Sequence, residues 1–189
     1  MRTKLRRFVP RLVALDERTL PAVTFSFDPF IPTMLHVTGD AGANQITITD
    51  TGTAAGITIV GDGETFVAPT SITHIMVDVL DGNDTVTYNL TAPLTVFRLV
   101  DAQLGKGNDL FTANISGQSL LTADAELQMS ANGDGGHDTM ILNAQSVSTD
   151  VGSVLNVFFD GDAGKDTITF DYAAVTEKGG VYLNKDQRR

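Results

Sequence analysis

The feature that most constrains this chain of 189 residues is a short phrase that returns along it: Gly82-Asn83-Asp84, Gly107-Asn108-Asp109, Gly136-His137-Asp138 and Gly164-Lys165-Asp166. The aspartates lie 25, 29 and 28 residues apart, a period that points to stacked coils. With each aspartate as position zero, the residues two positions on are Val86, Phe111, Met140 and Ile168. Four positions on stand Tyr88, Ala113, Leu142 and Phe170, and six on stand Leu90, Ile115, Ala144 and Tyr172. Polar residues alternate with them: Thr87, Thr112 and Thr169, then Asn89, Asn114, Asn143 and Asp171. The same alternation precedes each aspartate, with Ile75, Val100, Met129 and Val157 nine positions before it and Val77, Ala102, Ala131 and Phe159 seven before. Period-two patterning on both sides of a Gly-Asp turn reads as strand, turn, strand.

The units differ in length in one place, over residues 91–99, 116–128 and 145–156, which maps to a loop or third face of a solenoid. The expectation is an all-β chain, a parallel β-helix (β-solenoid) of about four to six coils. An antiparallel sandwich of similar hairpins is the competing arrangement, and the constant register favours the solenoid. Three segments are expected: residues 1–27, basic and disordered or weakly helical; residues 28–183, the solenoid; and residues 184–189, a polar tail. Gly39-Asp40-Ala41-Gly42-Ala43-Asn44 aligns without gaps on Gly161-Asp162-Ala163-Gly164-Lys165-Asp166, so it reads as a degenerate first repeat with asparagine in place of the aspartate. An extra hairpin over Ile57–Val60, turning at Gly61-Asp62-Gly63, fills the gap to the next unit. Residues 171–183, with Gly179-Gly180, read as a closing cap, since terminal repeats must shield an open core.

Net charge is −10, but it is unevenly placed. Residues 1–27 carry net +4, residues 28–183 net −16 and the last six net +2. Such an acidic body repels phosphate-rich partners, which argues against nucleic acid and anionic lipid and in favour of cations. No apolar run approaches the roughly 20 residues of a membrane helix, so no transmembrane segment is expected. The chain has no cysteine, which excludes disulfides and thiolate metal sites.

Two resemblances add to this reading. The stretch from Pro10 to Ala22, with Asp16-Glu17-Arg18-Thr19-Leu20-Pro21 at its centre, resembles the N-terminal motif LExLExRxLP found in exported and surface proteins of planctomycete-type bacteria. The match is good from Asp16 to Pro21 and looser before it. The resemblance implies export, hence an extracellular or cell-surface location. The turn phrases resemble the hemolysin-type, or RTX, calcium-binding nonapeptide GGxGxDxUx, most closely at Gly133-Asp134-Gly135-Gly136-His137-Asp138-Thr139-Met140 and Gly161-Asp162-Ala163-Gly164-Lys165-Asp166-Thr167-Ile168. They depart from it in having one phrase per coil rather than tandem phrases.

What this second resemblance implies is Ca2+ held between successive turns, with Asp134, Asp138, Asp160, Asp162, Asp166, Asp109 and Asp84 as candidate ligands. The competing reading is that aspartates in Gly-rich turns bond their own backbone. Asn89, Asn114 and Asn143 are expected to form a structural amide ladder, each side chain bonding to the copy above and below. No catalytic residue is assigned: the histidines His36, His74 and His137 occupy unrelated contexts, and no nucleophile elbow, paired metal-binding histidines or phosphate loop is present. The function expected is a non-catalytic exported or cell-surface structural or adhesion protein, with calcium and cell-envelope or extracellular matrix components as partners. The alternative is a calcium-using, polysaccharide lyase-like β-helix in which Arg98, the basic residue of the outer strand segments, acts on an acidic sugar.

Overall fold

A computed structural model describes residues 22–68, 71–120 and 122–186. The first coil contains β1 (Thr24–Phe27), β2 (Met34–Thr38) and β3 (Gln45–Asp50), followed by a hairpin of β4 (Ile57–Gly61) and β5 (Glu64–Val67). The second holds β6 (His74–Asp78) and β7 (Thr85–Leu90). The third holds β8 (Phe97–Gln103), β9 (Lys106–Gly107), β10 (Leu110–Asn114) and β11 (Ser119–Leu120). The fourth holds β12 (Glu126–Asn132), β13 (Gly135–Gly136) and β14 (Thr139–Thr149). The fifth holds β15 (Val154–Asp160), β16 (Ala163–Gly164) and β17 (Thr167–Glu177), and β18 (Gly180–Asp186) opens the next coil.

The chain is therefore a parallel β-solenoid. Strands preceding the turns pair in parallel as β2-β6-β8-β12-β15-β18, strands following them as β3-β7-β10-β14-β17, and the turns themselves form the narrow sheet β9-β13-β16. Register follows the repeat. Ile46, Val86, Phe111, Met140 and Ile168 are successive partners, as are Leu35, Ile75, Val100, Met129 and Val157. All ten are buried, so each alternating strand adds one layer to apolar columns whose rungs lie about 4.8 Å apart. Large and small residues interdigitate across the core: Phe159 meets Phe111 and Phe170 edge to face, each at 5.3 Å between ring centres, while alanines fill its own column at positions 102 and 131. The variable-length segments make a partial third face, where β11 pairs with the far half of β14 and Leu94 bridges Leu120.

The ends differ from expectation. β1 falls within the segment assigned to the N-terminal tail, yet it runs antiparallel along β2 and closes that sheet edge; its alternating Thr24-Phe25-Ser26-Phe27 lets Phe25 stack on Phe66 of β5 at 5.1 Å. Residues 1–21 of that basic segment lie outside the described residues. The hairpin β4–β5 turns at Asp62-Gly63 and covers the other sheet through the antiparallel pair β3–β4. At the far end, β17 and β18 continue the parallel ladders instead of folding over them. The tail boundary also moves, since β18 runs on to Asp186. Lys185 stands in register with the buried Phe159 and donates from Nζ to the carbonyl of Ile168 at 3.2 Å. A charge in an inward position is a known way of discouraging further strand addition.

Candidate functional site: a column of buried aspartates

The four repeat aspartates form one continuous column. The N–H of Asn44 donates to Oδ1 of Asp84 (2.6 Å), that of Asp84 to Asp109 (2.7 Å), that of Asp109 to Asp138 (2.8 Å), and that of Asp138 to Asp166 (2.9 Å). The carbonyls of Asn44, Asp84, Asp109 and Asp138 are used as well, accepting from the N–H of Thr85, Leu110, Thr139 and Thr167 of the next coil. Each aspartate therefore bonds the backbone of the preceding coil, not its own, and fastens coil to coil where the chain leaves the turn for the strand. Position zero shares its phase with the inward residues two and four positions on, so the carboxyls are enclosed: Asp84, Asp109 and Asp138 are 1%, 2% and 1% exposed. In all four, Oδ2 is sealed from solvent and has no hydrogen-bond partner.

Burial without a counter-charge raises proton affinity. Burial pushes the Asp109 carboxyl up to about 7; the backbone N–H of Asp84 opposes the shift, and the Asp138 and Asp84 carboxylates add to it. Asp138 is pushed up to about 6 by burial, against the N–H of Asp109 and with Asp166 adding to the rise. Asp84 moves in the same direction, again chiefly through burial. At the first coil the column ends on Asn44, whose Oδ1 accepts from the N–H of Asp40 while Nδ2 donates to Asp40 and Asp62. An amide suits that position because it can donate to both carboxylates, which an aspartate cannot do.

The glycines of the phrase form a second column. A Cβ on Gly107 would stand 1.4 Å from the carbonyl oxygen of Gly82, one on Gly136 1.4 Å from that of Gly107, and one on Gly164 1.6 Å from that of Gly136. Backbone approaches backbone so closely here that only hydrogen fits. The residue between glycine and aspartate makes a third column on the surface, running the opposite way: Asn83 accepts from the N–H of Asn108, Asn108 from His137, and Nδ1 of His137 from Lys165 at 3.1 Å.

The asparagine ladder runs along the second sheet. Nδ2 of Asn114 donates to Oδ1 of Asn89, and Nδ2 of Asn143 to Oδ1 of Asn114, both at 2.8 Å. Asn114 takes part in both bonds, so Asn114→Ala is expected to lower stability by about 1–2 kcal/mol. Urea unfolding measures it, and a change within error would remove the ladder from the account.

The remaining candidate ligands serve the turn. Oδ1 of Asp160 accepts from the N–H of Asp162 at 3.0 Å, as Asn132 does from Asp134 at 2.8 Å. Asp134 and Asp162 are left-handed, with φ of 60° and 53°, a conformation aspartate tolerates. Calcium takes six to eight oxygens at about 2.3–2.6 Å. One oxygen of every column carboxyl is committed to a backbone N–H, the other is closed off from solvent, and among the described residues no three His, Asp or Glu side chains form a metal-holding group.

A second buried polar group lies between the sheets. Arg98 is 0% exposed; its Nε donates to Oδ2 of Asp50 at 2.7 Å, and its Nη2 to Oδ1 of Asp50 (3.2 Å) and to the carbonyl of Thr53 (2.8 Å). The hydroxyl of Tyr88 donates to Oδ2 of Asp50 at 2.8 Å, and the N–H of Gly52 to Oδ1 at 2.7 Å. Burial, with the Asp50 carboxylate next to it, holds the Tyr88 hydroxyl well above its usual proton affinity. The outward placement expected for Arg98 is thus corrected: it pairs in register with the inward Leu127 and is fully buried. Asp50, not singled out in the sequence, stands where the other coils place Leu90, Ile115, Ala144 and Tyr172. A lone acid in that column, with a lone base in phase with Val100, was the available signal of a buried pair.

Comparison with protein-family models, curated proteins and solved structures gives no match.

Proposed function

We propose that this chain is a non-catalytic structural repeat module, exported to the cell surface or extracellular space, where it acts as a stiff spacer or adhesion element among envelope or matrix components. The observation that carries this reading is the use made of the recurring polar residues. The aspartates, the asparagines of the strands and the residues between glycine and aspartate all bond coil to coil, so the repeated motif is accounted for by cohesion along the axis. Arg98 is fully buried and paired with Asp50, which weighs against the lyase-like alternative that relied on it as the base. The basic N-terminal segment with its Asp16–Pro21 motif supports export.

Protease treatment of intact cells tests the location. The expected result is digestion of the protein without lysis, and loss of that surface exposure when residues 1–21 are deleted. Protection in intact cells would overturn the proposal. Incubation with acidic polysaccharides is expected to release no unsaturated sugars.

A further inference from the structure

The threonines of the second sheet are the recurring polar residues that coil-to-coil bonding leaves out. From β5 through β4, β3, β7, β10 and β14 to β17, the successive register partners are Thr65, Val60, Thr47, Thr87, Thr112, Ile141 and Thr169. Every one is β-branched, and none is buried. We propose that this outward face is an ice-binding surface, which adsorbs to the lattice of a growing ice crystal and arrests its growth.

Strand pairing sets two spacings on such a face, about 4.8 Å from rung to rung and about 6.7 Å between alternate residues of one strand. Water in hexagonal ice repeats at nearly the same two intervals, so a single registration serves the whole column and its neighbour, where Thr85, Thr139 and Thr167 share a phase with Leu110. A β-branched side chain is stiff at χ1. A methyl group, and in threonine a hydroxyl, is therefore held at each rung before the lattice is met. Among the described residues the hydroxyls of Thr47, Thr87, Thr112 and Thr169 hydrogen-bond no other protein group and are available to ordered water, whereas the asparagines beside them are bonded to one another.

Strand preference alone does not account for the column. The first sheet is equally parallel, yet its outward column reads His36, Met76, Asp101, Ser130, Phe158 and Asn184 along successive partners, no two alike. Charge separates the two faces as well. Residues 28–183 carry net −16, but the columns that start at Gln45, Thr47 and Thr49 and run to β17 hold one charged side chain among the described residues, Asp171 on the last rung. A neutral face complements a neutral lattice; a carboxylate there would orient water around itself and against the crystal. The face measures about 29 Å by at most 13 Å, short of the roughly 800 Å2 per partner of a stable dimer, which disfavours a second copy as its occupant. Sugar rings pack their C–H faces on aromatic side chains, and the column has none.

The proposal concerns this face alone and stands apart from where the chain resides. Purified full-length protein, held with one ice crystal in supercooled buffer, is expected to depress freezing below melting and to facet the crystal, and during slow directional freezing it is expected to enter the ice. The double variant Thr87→Tyr, Thr112→Tyr puts a good strand former at two outward positions and should lose most of the gap between freezing and melting and stay in the liquid. Thr112→Lys, which sets a charge in the column, should do the same. Asn156→Tyr, on the outward side of the first sheet next to Tyr182, should keep both properties. Circular dichroism at the working temperature establishes that each variant is folded, and the wild-type measurement needs no variant. Three results would overturn the proposal: a wild type that leaves no gap and is excluded from ice, folded threonine variants as active as the wild type, or retention on cellulose or chitin in preference to ice and abolished by the same variants, which would assign the face to a polysaccharide.

Discussion

Replacing Arg98 by methionine is expected to lower the melting temperature by about 10 °C or more, corresponding to a loss of about 3–5 kcal/mol. Methionine fills much the same volume, so the loss is not chiefly one of packing. It comes from Asp50, which is fully buried and would be left with only the hydroxyl of Tyr88 and the N–H of Gly52 as donors. Breaking one half of an enclosed ion pair is far more damaging than removing both halves. Arg98→Met combined with Asp50→Leu is therefore expected to recover more than half of the loss, though not all, because the N–H of Gly52 and the carbonyl of Thr53 lose their side-chain partners. Urea unfolding of the two single variants and the double variant closes the cycle. Additive losses would show that the pair is not coupled and that the burial of Arg98 has been misread.

A methyl group on Gly107 is expected to cost about 3 kcal/mol or more. The added carbon would lie 1.4 Å from the carbonyl oxygen of Gly82, far inside van der Waals contact, and the obstacle is backbone from the adjoining coil. Relief requires two rungs to separate at the turn, where the hydrogen bonds of Asp84 and Asp109 also lie. Gly117 supplies the control: its φ is +74° and nothing lies within 4 Å of an added Cβ. Gly117→Ala tests backbone strain alone and should cost only about 1 kcal/mol. Comparable losses at the two positions would indicate that the glycine column reflects conformational preference and not close approach between coils.

The parts of the structure legible in the sequence were those set by periodicity. Alternation placed Val86, Phe111, Met140 and Ile168 on one face, and a constant offset from the aspartate put them in register, as the strand pairing has them. The hairpin after the first repeat was legible because Gly61-Asp62-Gly63 is turn chemistry between two β-like runs. The ends were harder. β1 follows a basic segment with no repeat of its own, and it pairs antiparallel, so no offset from an aspartate could locate it. The glycines at 179 and 180 suggested closure, yet Gly180 simply begins the next parallel strand.

The aspartates show why a motif underdetermines a site. The resemblance drew attention to which oxygens a cation would need, whereas phase settles where those oxygens lie. Position zero is even, like the core positions after it, so the side chain turns inward and its Oδ1 meets the backbone of the preceding rung. Arg98 follows the same rule: it is in phase with Val100 and Ala102, and the interior that results required the acid at position 50.

The account depends most on equivalent residues of successive coils being immediate neighbours, and disulfide trapping measures that directly in a chain that has no cysteine of its own. Asn89 and Asn114 are register partners on adjacent strands, at a spacing of about 4.8 Å that a disulfide can span, whereas Asn89 and Asn143 are two rungs apart, about 10 Å. Mild oxidation is expected to close the pair Asn89→Cys, Asn114→Cys nearly completely and to leave Asn89→Cys, Asn143→Cys as free thiols. Closure of the second pair in preference to the first, or of neither in a folded protein, would contradict the stacked solenoid.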